Sequence, residues 1–397
     1  MIMAPAVLPL PRVFRPERAT PSDAVRPTRA EINLGHLRHN LHIVQKVVGK
    51  IPVWAVLKAD GYGHGAKAVA RTLEREGAAG VCVALVEEGI ELREAGIKIP
   101  ILVIGGHYGR AWSDVLAHRL TPMLHDAGQV EALAQEVRYL GIEAVDVHVK
   151  FDTGMGRLGV TLPDLARLLR AFESHPEVRL HGLMTHYACA DASDPTHLDE
   201  QWAAFEEVTA LLARQGFQPA IRHAANSAAL FVDAKHHFNL VRPGLALFGV
   251  APLAASDFEL LPVMRVRTEV VAVRELGIGQ SVGYGATWSA QRKSRIATIP
   301  VGYADGLSRG LSNRGQVLLA GRRAPIVGIV SMDMTMVDIT DLPGLDVGEE
   351  CVVLGAQKGR FGSDSITVSE IADVLGTVPW EILTSVSRRV PRFYREP

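Results

Sequence analysis

The sequence predicts an α/β protein: an N-terminal eight-stranded α/β barrel of the TIM type over residues 29–264, then a mostly β domain over residues 265–397. Three observations lead there. Eight short apolar, β-branched runs alternate with helix-like stretches between about residues 50 and 250. The C-terminal ends of those runs carry reactive side chains. After Pro262 the rhythm gives way to short β-type runs separated by glycine turns.

The eight runs cover residues 53–57, 80–84, 101–104, 121–124, 144–149, 180–184, 220–223 and 239–242. Stretches such as 66–76, 165–172 and 201–215 carry apolar residues at helical spacing between them. Continuous apolar runs of this length suit parallel strands buried on both faces. An open sheet and a closed barrel both fit that rhythm, and the run ends favour the barrel. Lys58 ends the first run and His125 follows the fourth. Lys150 ends the fifth, and His186 closes the sixth. Asn226 and Ser227 follow the seventh, and Arg242 ends the eighth. A barrel converges these ends on one face, where barrel enzymes keep their active sites, whereas an open sheet spreads them along an edge. Beyond residue 265 one short helix is expected at 370–375, with Ser369 as N-cap and Gly376 as C-cap.

Composition excludes several classes. Hydrophobic residues make up 48% and charged residues 21%, so the chain is globular rather than disordered. Lys plus Arg (42) balances Asp plus Glu (43), leaving a net charge of −1 and no global field for nucleic acid or an anionic membrane. No apolar run approaches the roughly 18 residues of a membrane span. Cys82, Cys189 and Cys351 are too few for a disulfide framework, which points to a reducing compartment, the cytoplasm. Residues 1–28 read as a flexible extension holding Pro5, Pro9, Pro11, Pro16, Pro21 and Pro27. These prolines, with no Lys or Arg ahead of residues 2–10, argue against a secretory signal.

The chemistry starts at Lys58-Ala59-Asp60-Gly61-Tyr62-Gly63-His64-Gly65. A lysine closing a buried strand is desolvated, which frees its amine for nucleophilic or Schiff-base chemistry. Tyr62 overhangs the same mouth. This segment resembles the pyridoxal-phosphate lysine motif of alanine racemases. The resemblance continues through Lys150-Phe151-Asp152-Thr153-Gly154-Met155-Gly156-Arg157, Thr185-His186, Asn226-Ser227 and Arg242-Pro243-Gly244. It resumes in the second domain at Gly283-Tyr284-Gly285, Gly302-Tyr303-Ala304-Asp305-Gly306, Ser331-Met332-Asp333 and Val390-Pro391-Arg392.

That resemblance implies the barrel-plus-β fold, pyridoxal 5'-phosphate as cofactor, alanine as substrate, and a homodimer with shared active sites. It implies no metal. The activity would be interconversion of L- and D-alanine by proton transfer at Cα of a cofactor aldimine, supplying D-alanine for peptidoglycan. Inverting the centre needs a base on each face, and Lys58 and Tyr284 match the two. A tyrosine hydroxyl's reference pKa is about 10, so such a base needs help, and His186 matches the residue that bonds it. Arg242 matches the contact to the pyridine nitrogen, with His223 orienting it. An arginine stays protonated and hands that nitrogen no proton, which weakens the electron sink and suppresses side reactions. Ser227, Tyr62 and the amides of Gly244 and Leu245 match the phosphate site, helped by a helix N-terminus after Ser227. Arg157 and Met332 match the substrate-carboxylate contacts, supported by Lys150, Asp333 and Tyr303, and Lys150 matches a lysine often carried as a carbamate. Two positions depart from the family pattern. Ile329 stands where an arginine is common, and Arg388 where a tyrosine is common, which bears on the entrance and the substrate range. A decarboxylase on a related scaffold would favour a carboxylate where Arg242 stands. A non-catalytic cofactor carrier would need no second domain with Tyr284. A sugar-phosphate barrel enzyme would leave residues 58–62 unexplained.

Overall fold

The computed structural model describes residues 24–107, 111–251 and 258–396, so most of the expected extension, residues 1–23, lies outside the described residues. Strand β1 (Arg29–Asn33) leads into the helix Leu34–Val48. Asn33 starts that helix because its side chain accepts the His36 amide at 3.1 Å. Seven parallel strands then follow in chain order: β2 (Trp54–Val56), β3 (Gly80–Val83), β4 (Ile101–Val103), β5 (Thr121–Leu124), β6 (Val145–Lys150), β7 (Val178–Met184) and β8 (Ile221–His223). Every residue of β2, β3 and β4 is buried, as strands covered on both faces require.

The eighth run is reduced to a bridge. Val241 pairs in parallel with Val53, and the Trp54 and Val56 amides donate to the Val241 and Pro243 carbonyls at 2.9 and 2.8 Å. Pro243 has no N–H, so the ladder cannot run on as a regular strand. The sheet therefore curls on itself, with seven regular strands and one bridging segment. Amphipathic helices cover its outside. Leu162–Ser174, for example, buries Leu165, Leu168, Leu169 and Phe172 on one face.

The second unit is built from mostly antiparallel sheets, with β1 and Arg392–Arg395 as a parallel pair. One runs in the order Arg322–Pro325, Gln316–Leu319, Glu350–Gly359, Met264–Glu269, β1, Arg392–Arg395. Strand β1, which the sequence reading grouped with the barrel, is thus an inner strand of this sheet. Its Glu31, 4% exposed, bonds Arg265 at 3.0 Å, Arg267 at 2.9 Å and Arg395 at 2.7 Å. Ahead of it, Arg26 and Thr28 are anchored: the Thr28 hydroxyl, fully buried, donates to the Pro300 carbonyl at 2.8 Å. A short hairpin, Ser281–Val282 with Trp288–Ser289, carries Tyr284 at its tip.

Two details differ from the sequence reading. The helix begins at Val368, not at residue 370, and its cap is Thr367 rather than Ser369. The Thr367 hydroxyl accepts the Glu370 amide at 3.1 Å, while Ser369 already lies inside the helix. A second helix, Pro379–Ser385, was not expected; it starts on a proline and is short enough to look like a turn.

Glu31→Gln removes the charge that holds three arginines of the flanking strands. It should lower stability by about 2–3 kcal/mol, because breaking a buried pair strands its partners, here partly solvated. Urea unfolding followed by circular dichroism checks this, with both sheets lost in one step.

Candidate active site

The C-terminal strand ends enclose a cavity of about 660 Å³. Lys58, Tyr62, Lys150, Arg157, His186, Ser227, Arg242, Gly244 and Leu245 line it, nine of the residues expected from sequence. Asn226, Asp191 and Met155 line it too, and Trp380 reaches its mouth from the unexpected helix Pro379–Ser385. His125 is elsewhere, bonded to Gln129 in the first turn of the helix that follows it.

Lys58 stands at the start of an unusual turn. Ala59, Asp60, Gly61 and Tyr62 all have φ between 50° and 62°, a left-handed helical turn. Non-glycine residues there cost roughly 1–2 kcal/mol each, so surrounding bonds have to hold them. The Glu88 carboxylate accepts the Ala59 amide at 2.6 Å, and Asp60 accepts the Ala66 amide at 2.7 Å. The Gly61 amide returns to the Leu57 carbonyl at 2.8 Å. The reversal aims Lys58 and Tyr62 into the same cavity, with the Lys58 Nζ 5.9 Å from the Tyr62 ring centre. Burial lowers the Lys58 pKa, and the Arg157 cation lowers it further.

The Tyr62 hydroxyl lies where a side chain at position 244 would project. A Cβ on Gly244 would stand 2.7 Å from that oxygen, so the backbone there is stripped to fit. The Ser227 Oγ accepts the Gly244 amide at 2.8 Å and the Ala246 amide at 3.2 Å. With both bonds accepted, its O–H remains available to donate. The helix expected after Ser227 is a single turn, Ala229–Val232, and Asn226 takes the Ala228 and Ala229 amides at 3.1 and 3.0 Å. That turn therefore contributes less to an anion than the sequence suggests.

Arg242 is buried at the cavity floor. It donates to the Thr185 and Ala224 carbonyls at 2.8 and 3.1 Å and to the His223 Nδ1 at 2.6 Å. The accepting Nδ1 fixes the proton of His223 on Nε2, which faces the His148 Nδ1 at 2.8 Å. Burial pulls Arg242 down to about 10, still far above neutrality, so it stays charged. Burial also pulls His186 and His148 down to about 3, and His223 well below 6.5. Sequence reasoning missed His148, whose place is visible only once β6, β7 and β8 are laid side by side.

Arg157 projects from a loop shaped by Asp152, whose Oδ1 accepts the amides of Gly154, Met155 and Gly156 at 3.0, 2.9 and 3.1 Å. Lys150 is buried beside it. Burial first, then Arg157, brings the Lys150 amine down to about 8.

The second-domain residues stay apart. Tyr284 is 75% exposed and Met332 52% exposed, and neither lines the cavity of its own chain. Tyr303 is exposed, and Asp333 accepts a bond from Arg389 at 2.7 Å. Arg388 is exposed and outside the cavity, and Ile329 is half-buried beside Gly283.

Two family models match in chain order: "Alanine racemase, N-terminal domain" over residues 32–252 and "Alanine racemase, C-terminal domain" over residues 263–394. The chain belongs to the alanine racemase family. An alanine racemase of Sorangium cellulosum is 54% identical over 379 residues, covering 94% of this chain and all of the relative. One of Symbiobacterium thermophilum is 43% identical, covering 94% and 98%. Among solved structures, the Bacillus anthracis alanine racemase with bound L-Ala-P superposes with a TM-score of 0.88 at 31% identity, covering 94% of this chain and 96% of that one. The Bartonella henselae alanine racemase with covalently bound pyridoxal phosphate gives 0.84 at 30% identity, covering 93% and 99%.

Electrostatics inside this alanine racemase fold make a pH prediction. His64, His148 and His223 are each at most 1% exposed, and burial pulls the first two down to about 3 and the third well below 6.5. Such histidines resist protonation when folded and accept it when unfolded. Their stabilisation is complete above about pH 6.5 and falls as pH drops toward 3, by roughly 1.4 kcal/mol per pH unit for each histidine. Urea midpoints at three pH values between about 7 and 5 should fall steadily, and His64→Gln should reduce the slope by one proton.

Proposed function

We propose that the chain interconverts L- and D-alanine with pyridoxal 5'-phosphate as its cofactor. The supporting observation is the cavity that gathers a lysine of lowered pKa, a buried arginine and a serine–glycine cradle at one end of the parallel strands. The cradle suits a phosphate: Gly244 carries no Cβ, the Tyr62 hydroxyl fills that space, and the Ser227 O–H is left to donate. Leu245 follows directly and offers the next backbone amide. The cofactor, when bound, supplies a carbonyl that condenses with amines and a ring that delocalises the negative charge left at Cα.

The chain's own groups handle binding and protons. Lys58 would hold the cofactor through its Nζ, and once the substrate amine takes its place the freed Lys58 amine would exchange a proton at the alanine Cα. Tyr284 does the same from the opposite face through its Oη, with His186 beside it. Arg242 would hold the ring nitrogen as a permanent donor, and His223, kept neutral, accepts a bond from that guanidinium through its Nδ1 lone pair. Arg157 and the Met332 amide hold the substrate carboxylate. Lys150, part neutral near pH 7, is set to add carbon dioxide as a carbamate with loss of a proton, which would turn a repelling cation into an anion able to hold Arg157.

Tyr284 and Met332 are exposed in one chain, and exposed aromatic and thioether side chains mark an interface. We read the working form as a homodimer in which each copy lends these residues to the other's cavity. No described helix is long and apolar enough to cross a membrane, and the three cysteines are free. A cytoplasmic place, supplying D-alanine for peptidoglycan, fits this reading.

Lys58→Ala should abolish both racemisation and the borohydride-trappable cofactor link; a trapped link in that variant refutes the assignment. Tyr284→Phe should stop Cα deuterium exchange into L-alanine and leave exchange into D-alanine. Equal loss of both counts against two bases. Mixing Lys58→Ala with Tyr284→Phe chains should restore about a quarter of the sites, since half the dimers are mixed and each holds one intact site. No recovery after proven subunit exchange argues against sharing.

A further inference from the structure

Arg26 lies ahead of both family-matched regions, yet it grips the second domain. Its guanidinium forms a two-pronged pair with Asp305, Nη1 to Oδ2 at 3.0 Å and Nη2 to Oδ1 at 2.7 Å. The same group donates to the Pro300 and Arg389 carbonyls at 3.4 and 3.3 Å. The Asp305 side chain is fully buried, so its charge depends on these contacts. Arg389 is the other cation near it, at 3.6 Å, and that residue is committed to Asp333 at 2.7 Å.

Asp305 governs a turn that packs against the loop carrying Met332. Its Oδ2 accepts the Gly302 amide at 3.1 Å, and its own amide returns to the Gly302 carbonyl at 2.9 Å. The turn so formed reaches across to the neighbouring loop. The Tyr303 amide donates to the Ser331 carbonyl at 3.0 Å and the Ala304 amide to the Met332 carbonyl at 3.1 Å. The two backbones are pressed together: a Cβ on Gly302 would stand 2.3 Å from both carbonyl oxygens. Asp333, next in the chain, is tied through Arg389 to the same carboxylate. Charge at Arg26 thus passes to the position of Met332 through one buried carboxylate and two backbone bonds.

We infer that Arg26 is a positioning residue for the substrate-carboxylate contact at Met332, acting through Asp305. This rests on the reading of Met332 given above. Arg26 touches neither substrate nor cofactor, so its loss acts on substrate binding and spares the cofactor site. An arginine suits the task because its planar fork matches both carboxylate oxygens at once.

The test compares wild type, Arg26→Ala and Arg26→Lys as cofactor-loaded enzymes. In Arg26→Ala the KM for both alanine enantiomers should rise by roughly five- to tenfold, as loss of a charged bond of this kind implies. The kcat should stay within about twofold, and cofactor affinity by visible absorbance should not change. Arg26→Lys, which keeps the charge and loses the fork, should give an intermediate KM, and it carries the test if Arg26→Ala does not fold. Amide hydrogen exchange should quicken at residues 302–306 and 331–334 and stay unchanged in β1. A wild-type KM in the variants, or unchanged exchange in those two loops, overturns the inference. A wild-type enzyme that fails to exchange the alanine Cα proton overturns the underlying reading instead.

Discussion

Everything at the site depends on three backbone hydrogen bonds that close the curled sheet. They join residues 52–56 to residues 241–243, nearly two hundred positions apart in the chain. This seam sets Lys58 at the end of one segment beside Arg242 and Gly244 at the end of the other. The lysine, the buried arginine and the serine–glycine cradle that line the cavity are thus brought together by one main-chain contact. No side chain of the site has to create that proximity; each only has to point the right way.

Polarity at the cavity floor is organised around one buried cation. Arg242 is buried, and its recorded bonds run to two carbonyls and a neutral histidine. The three-membered chain Arg242–His223–His148 has a definite proton order, because the arginine can only donate. Adding a proton to either histidine would set cation against cation in a desolvated space. The floor therefore keeps one charge state across the physiological range. A carboxylate in place of Arg242 would invert this arrangement, setting a buried anion that accepts hydrogen bonds where a cation now donates them.

The barrel was legible because parallel strands buried on both faces leave continuous apolar runs, and because glycines and lysines cluster at their ends. Nine cavity residues were legible for the same reason, together with the family resemblance. What escaped depends on contacts that no local pattern encodes. The left-handed turn at residues 59–62 looks like an ordinary glycine-rich loop until Glu88, on the helix Val86–Glu94, accepts its first amide. His148 reads as one more residue of a strand. Residues 29–33 precede the barrel in sequence, but their partners lie more than two hundred residues downstream. The cap at Thr367 and the helix Pro379–Ser385 were misread or missed because short helices carry too few turns for periodicity to show.

The placement of β1 has a consequence for how the chain is made. It leaves the ribosome among the first segments, but its neighbours, Met264–Glu269 and Arg392–Arg395, come near the end. At about 5–20 residues per second, that strand waits roughly ten seconds or more with open edges while the barrel assembles behind it. Its hydrophobic residues Ala30 and Ile32, fully buried in the finished fold, are exposed throughout. Glu31 between them keeps the waiting strand charged and discourages pairing with a wrong edge. When Met264–Glu269 and then Arg392–Arg395 arrive, the same carboxylate finds Arg265, Arg267 and Arg395 and locks the strand between them.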